Sequence, residues 1–266
     1  MKLKINFIRG FKFSFIEIAN VFNAIVEKPK DLEEIISMTA YNESKVKILL
    51  TFLTECELAV RRSFKLTRLG EIMRKYDGFL ETKGTLWTLH YIISSKEHLV
   101  IWNRLFNNIL SNDFKDRETM VTYFEDIKTQ VSDYTFERNV RKEIKMVIDT
   151  YLRERFSLID LISSSDKGYS YNRNGNIPDL ILLSSIIYFR DKYYAGSTTI
   201  SIKDICHSDN SPGRICFLDE SYIRNKLEHL KNLGLLGLES RADLDQVRLG
   251  NDLTVESVME EYYKSI

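Results

Sequence analysis

A mainly α fold carrying small β elements is what this sequence predicts, and three observations predict it. Only 3 of the 266 residues are Pro and 11 are Gly, too few breakers for a chain of many short strands. Apolar residues recur at three- and four-residue intervals through most of the chain, which is helical spacing. The hydrophobic fraction of 44% supports a folded core and excludes a disordered or collagen-like chain.

Taken in order, Phe13 to Glu27 repeats apolar side chains at helical spacing until Pro29 ends the run. Asp31 to Met38 forms a short helix with Leu32, Ile35 and Ile36 inward, then a turn follows at Thr39 to Tyr41. Asn42 is placed to cap the next helix, Glu43 to Glu57. That helix puts Val46, Leu49, Leu50, Leu53 and Cys56 on one face and Ser44, Lys45, Lys47, Thr51 and Thr54 on the other. Leu58 to Thr67 gives two extended pieces around a basic turn, and helix resumes at Arg68 behind a Thr67 cap. Three helices and a hairpin are the order of a winged helix-turn-helix, assigned to residues 1–78. The Phe-Lys-Leu-Thr-Arg-Leu-Gly string at 64 to 70 resembles the wing-to-helix passage of bacterial winged-helix regulators.

Residues 79–165 read as a helical middle domain, with helices over Thr85 to Ser94, Leu99 to Leu110, Asp116 to Gln130 and Thr135 to Glu154. Trp87, Leu89, Trp102 and Phe106 are its expected core. Ser163 to Gly168 has the composition of a linker, and a short strand or hairpin follows at Tyr169 to Asn176. Residues 166–266 then repeat the first pattern. Helices at Asp179 to Tyr193, Ser201 to Cys206 and Asp219 to Leu233, the last closed by Gly234, precede strands at Leu235 to Glu239 and Gln246 to Leu249 and a final helix at Thr254 to Tyr263. The predicted fold is therefore mainly α with small β-wings, two winged-helix-like units flanking a helical middle.

Charge separates these parts although the whole chain is neutral, with 38 basic and 38 acidic residues. Residues 1–78 carry 14 basic against 10 acidic side chains, residues 79–165 carry 12 against 13, and residues 166–266 carry 12 against 15. Within the first part, Val60 to Lys75 holds six cations against Glu71 alone. A basic strip of this kind fits DNA phosphate. The residues assigned to DNA are Ser44, Lys45, Lys47 and Thr51 on the third helix, and Arg61, Arg62, Lys65 and Arg68 at the turn and beyond.

Catalytic signatures do not stand out. There is no Walker loop, Gly-x-Ser-x-Gly elbow, His-Glu-x-x-His pair or Cys-x-x-Cys pair, so no cofactor is expected. Cys206, His207, Cys216 and His229 lack the paired spacing of a zinc site, and no metal is expected there. His90, on a face with Trp87 and Tyr91, reads as a packed residue, and His98 as a helix-terminus residue. Three separated cysteines fit reduced thiols. No apolar run reaches the length of a membrane span, and Arg9 and Lys12 interrupt any leader-like start, so the expected location is the cytoplasm.

Phe7 to Phe13, Lys83 to Tyr91 with Trp102 to Asn107, and Ser211 to Asp219 resemble, in this order, a bacterial family of uncharacterised proteins. Its better-known members are the SspB-like proteins of single-strand DNA phosphorothioation systems. The Gly-Thr-Leu-Trp-x-Leu-His and Ser-Pro-Gly-Arg segments are the most specific parts of the likeness. The resemblance implies an anti-phage defence island encoding a cysteine desulfurase, a sulfur transferase and an ATPase, with the SspB-like protein binding and nicking DNA. Many members carry a Gly-His-Glu-Thr-Phe-like string where this chain has Arg9-Gly10-Phe11-Lys12-Phe13, without the His and Glu. The first expectation is accordingly an accessory protein that binds duplex DNA through its N-terminal winged helix, with the system's other components as partners and a homodimer as an allowed assembly. The alternatives are a DNA-nicking endonuclease of the same system, or a protein-binding scaffold or transcriptional regulator.

Overall fold

The computed structural model describes residues 3–7, 13–173, 176–241 and 244–266, and two compact units divide the chain, Met1–Asn172 and Arg173–Ile266. The chain is mainly α with small β elements. In the first unit, α1 (Phe15–Val26), α2 (Leu32–Thr39) and α3 (Glu43–Glu55) pack on one another. Asp31 caps α2 by accepting from the Glu34 N–H, and Asn42 caps α3 by accepting from the Lys45 N–H. The hairpin expected after α3 is reduced to one antiparallel bridge between Ala59 and Leu66, closed by the Val60 N–H donating to the Lys65 carbonyl at 2.9 Å. Thr67 then caps α4 (Arg68–Asp77) through the Gly70 N–H. Gly70 is fixed by space, because a Cβ there would lie 2.1 Å from the Leu58 carbonyl oxygen.

The helices that follow are α5 (Lys83–Ser94), α6 (Val100–Arg104), α7 (Arg117–Thr122) and α8 (Asp133–Arg153). Two expected helices are interrupted. After α6 the chain opens into a π turn at Leu105–Ile109, where the Leu110 N–H donates to the Leu105 carbonyl. After α7 a break at Tyr123 and Phe124 leads to a 3₁₀ turn at Glu125–Gln130; Arg104 donates to the freed Tyr123 carbonyl at 3.0 Å and holds Asp126 with two more bonds. Trp87, Leu89, Trp102 and Phe106 are all buried, as expected. The three rings belong to an aromatic cluster in which Phe13 meets Phe52 at 4.6 Å, Phe15 meets Phe156 at 4.8 Å, and Tyr151 stacks on Phe156 at 4.7 Å. His90 lies in that cluster, its Nδ1 sharing a 2.6 Å hydrogen bond with the Tyr151 hydroxyl.

The stretch read as a linker is instead a hairpin. β1 (Ile162–Ser165) pairs antiparallel with β2 (Gly168–Tyr171), and Tyr169 bridges Lys115 through two backbone hydrogen bonds of 2.9 Å. Gly168, with φ of 118°, permits both the turn and the close approach to Lys115.

The second unit runs α9 (Asp179–Tyr193), β3 (Thr199–Ser201), α10 (Ile202–His207), α11 (Pro212–Ile215), α12 (Glu220–Asn232), β4 (Gly237–Arg241), β5 (Leu244–Arg248) and α13 (Val255–Ser265). Its three strands are antiparallel in the order β3-β5-β4. α13 packs on α9, and the buried Arg190 of α9 donates to the Gly250 and Leu253 carbonyls to hold the preceding loop. The Ser-Pro-Gly-Arg segment builds α11. Ser211 caps it, Pro212 occupies its first turn, and Gly213 meets Cys206 so closely that a Cβ would stand 2.4 Å from the Cys206 carbonyl oxygen.

Candidate nucleic-acid interface

The outward side of α3 and the turn after it bound a groove of about 790 Å³. Lys47 and Thr51 of α3 line it, and so do Arg61 and Arg62 of the turn. Four of the eight residues assigned to DNA from sequence thus meet around one depression. Arg61 and Arg62 are exposed, as is Lys65 nearby, and none of the three makes an ion pair with a described residue. Arg62 sits in the left-handed region, at φ of 59°, which sharpens the turn. Lys47 is exposed beside Glu43, its ion-pair partner one helical turn back. The Thr51 hydroxyl donates to the Lys47 carbonyl at 2.6 Å, which leaves its oxygen able to accept.

The other assigned residues stand elsewhere. Ser44 is exposed on the first turn of α3. Lys45 bonds Glu17 of α1 at 2.6 Å and lies 5.2 Å from the Tyr41 ring centroid, so its charge is tied against the neighbouring helix. Arg68 faces Glu71 at 3.4 Å.

The opposite wall is a segment that sequence reasoning missed, Leu3 to Phe7. Its alternation of Leu3, Ile5 and Phe7 with Lys4 and Asn6 is the period-two signal of an extended strip and could have identified it. Several bonds fasten it. The Lys4 N–H donates to the His98 carbonyl at 2.7 Å, and the Phe7 N–H to the buried Glu143 carboxylate at 3.0 Å. The Phe7 ring meets Trp102 edge-on at 6.2 Å. Glu55, at the end of α3, takes the Lys4 ammonium and, at 2.8 Å, the His98 Nε2. Burial alone would raise the Glu55 carboxyl, but the hydrogen bonds from His98 and Lys4 outweigh it and bring its pKa to about 2. The apolar lining includes Val60 and Phe64. The groove therefore combines cationic side chains, Lys47, Arg61 and Arg62, with apolar ones, Val60 and Phe64 among them.

The second unit offers a different chemistry. Cys206, His207 and Glu220 have donor atoms within 4.8 Å of one another, the group of three best placed for a metal ion among the described residues. Cys216 and His229, grouped with them by sequence, are not in it. Glu220 already accepts from Arg224 at 2.9 Å and from His207 at 3.1 Å, and burial pushes the Cys206 thiol up to about 12. Arg224 is shared with Asp245, and Arg248 pairs with Glu239 at 2.5 Å, so these two cations beside β4 and β5 are neutralised. Residues 242 and 243, at the tip of the expected second wing, lie outside the described residues, as do residues 8–12 of the N-terminal segment.

A family described as "Protein of unknown function (DUF4007)" matches residues 50–263, and the chain belongs to it. A crystal structure of SspB with magnesium ion bound superposes with a TM-score of 0.78 at 13% sequence identity, covering 96% of this chain and 86% of that one. A second SspB crystal structure gives 0.76 at the same identity and coverage. The chain shares the SspB fold. No curated protein sequence matches it.

Proposed function

We propose that this DUF4007 chain is a DNA-binding accessory protein of a bacterial DNA phosphorothioation system, with its first unit as the DNA-binding part. The observation that carries this reading is the turn at 61–65, three exposed cations with no acidic partner among the described residues, beside the exposed side of α3. Such a turn reaches phosphate without reading bases, while α3 presents Ser44, Lys47 and Thr51 to whatever sequence preference exists. The order α1, α2, α3, bridge and α4 supports a winged helix with a minimal wing. The strand order β3-β5-β4 with α9, α10 and α12 supports a second one. Because Arg224, Lys226 and Arg248 are each paired with a carboxylate, that second unit suits the desulfurase, sulfur transferase or ATPase of the system better than DNA.

The likeness to SspB carries the choice of system. Binding of a fluorescently labelled duplex, followed by anisotropy across a salt series, tests the function: affinity falls linearly on a log–log plot as counterions are released. Absence of binding even at low salt sinks the reading. A supercoiled-plasmid assay with Mg²⁺ or Mn²⁺ tests the nickase alternative.

A further inference from the structure

We propose that the groove beside α3 holds a DNA nucleotide turned out of the base stack; this rests on the DNA reading and names what that site takes. A helix that reads the major groove has to project into a channel about 12 Å wide. Here the C-terminal half of α3 lines a depression together with Leu3 to Phe7, whose Lys4 reaches Glu55, and the 60–64 turn, so it does not stand out as a free ridge. The wall is firm, held by Glu143, His98, Trp102 and Glu55. A depression between two walls suits a single strand or one extruded residue better than an intact duplex.

The lining divides as a nucleotide does. Val60, 42% exposed, and Phe64 offer apolar and aromatic surface for the face of a base, while Arg61, Arg62 and Lys47 stand where its phosphate would lie. Asn6, Thr51 and Thr54 supply the hydrogen-bonding groups for a base edge. The volume of about 790 Å³ is within the ~300–1,000 Å³ typical of small-ligand sites. The carboxylate in the lining, Glu55, is neutralised by the Lys4 ammonium and hydrogen-bonded by His98, so it does not repel the phosphate.

The test compares affinities of the full chain for two duplexes of equal length, one fully paired and one with a single central mismatch. Extrusion costs least at a mismatch, so the wild-type chain binds the mismatched duplex more tightly, by about tenfold. Val60→Trp, which fills the groove from an exposed position, brings the ratio to one. Phe64→Ala, which removes aromatic surface without adding bulk, lowers the ratio independently. Equal wild-type affinities for both duplexes, or an unchanged ratio in both variants, would overturn the proposal and leave the DNA reading intact. Failure to bind either duplex overturns both.

Discussion

Glu55 joins the N-terminal segment to α3, and its ionisation is a stability statement. Its carboxyl ordinarily titrates at 4.5 and here near 2, so the stabilisation is present above pH 4.5 and is lost as pH falls from there through 2. Glu55→Gln should lower stability at pH 7 by roughly 1–3 kcal/mol, because Lys4 and His98 lose a charged acceptor. Over pH 4.5 to 2 the variant should show a flatter decline of Tm than the wild type; parallel curves would mean that the clamp is absent. The three thiols give a second residue-scale expectation. Cys56, Cys206 and Cys216 are 0%, 3% and 1% exposed, and burial raises all three above the ordinary thiol value. A thiol reagent at pH 8 should modify none of them until the chain unfolds; rapid labelling of the folded chain would contradict this burial.

At the scale of elements, the helices whose ends follow local chemistry were legible in the sequence. α3 begins after Asn42 and α4 after Thr67 because those side chains accept from the third backbone N–H beyond them. Gly234, at φ of 74°, follows α12 as expected. Asn42→Ala should cost about 1 kcal/mol in chemical denaturation. The elements that were not legible depend on distant partners. Arg104 takes the carbonyl freed at Tyr123, and Lys115 anchors the hairpin at Tyr169. The groove was hidden for the same reason: the basic turn is visible as composition, but its opposite wall comes from Leu3 to Phe7, far earlier in the chain. The Ser-Pro-Gly-Arg segment, specific in sequence, has a packing role as α11. Gly213→Ala should therefore destabilise by about 1–3 kcal/mol through its clash with Cys206. Gly237→Ala, whose Cβ would meet Arg248 at an ordinary 3.5 Å, should change Tm far less. Equal effects would remove the steric account.

For the whole molecule, neutrality conceals a division of charge. Among the described residues, the first unit gives Arg61, Arg62 and Lys65 no acidic partner, while the second couples Arg224, Lys226 and Arg248 to Asp245, Asp179 and Glu239. No described helix is long and apolar enough to cross a membrane. The central claim is that the exposed cations of the turn meet DNA phosphate. It is tested most directly by the salt dependence of duplex affinity in the Arg61→Ala, Arg62→Ala, Lys65→Ala triple variant beside the wild type. The variant should bind all duplex sequences more weakly, with a log–log slope reduced by up to ~0.9 for each phosphate that it no longer neutralises. An unchanged affinity and slope would show that the turn is only a solvated surface, and the claim would fall.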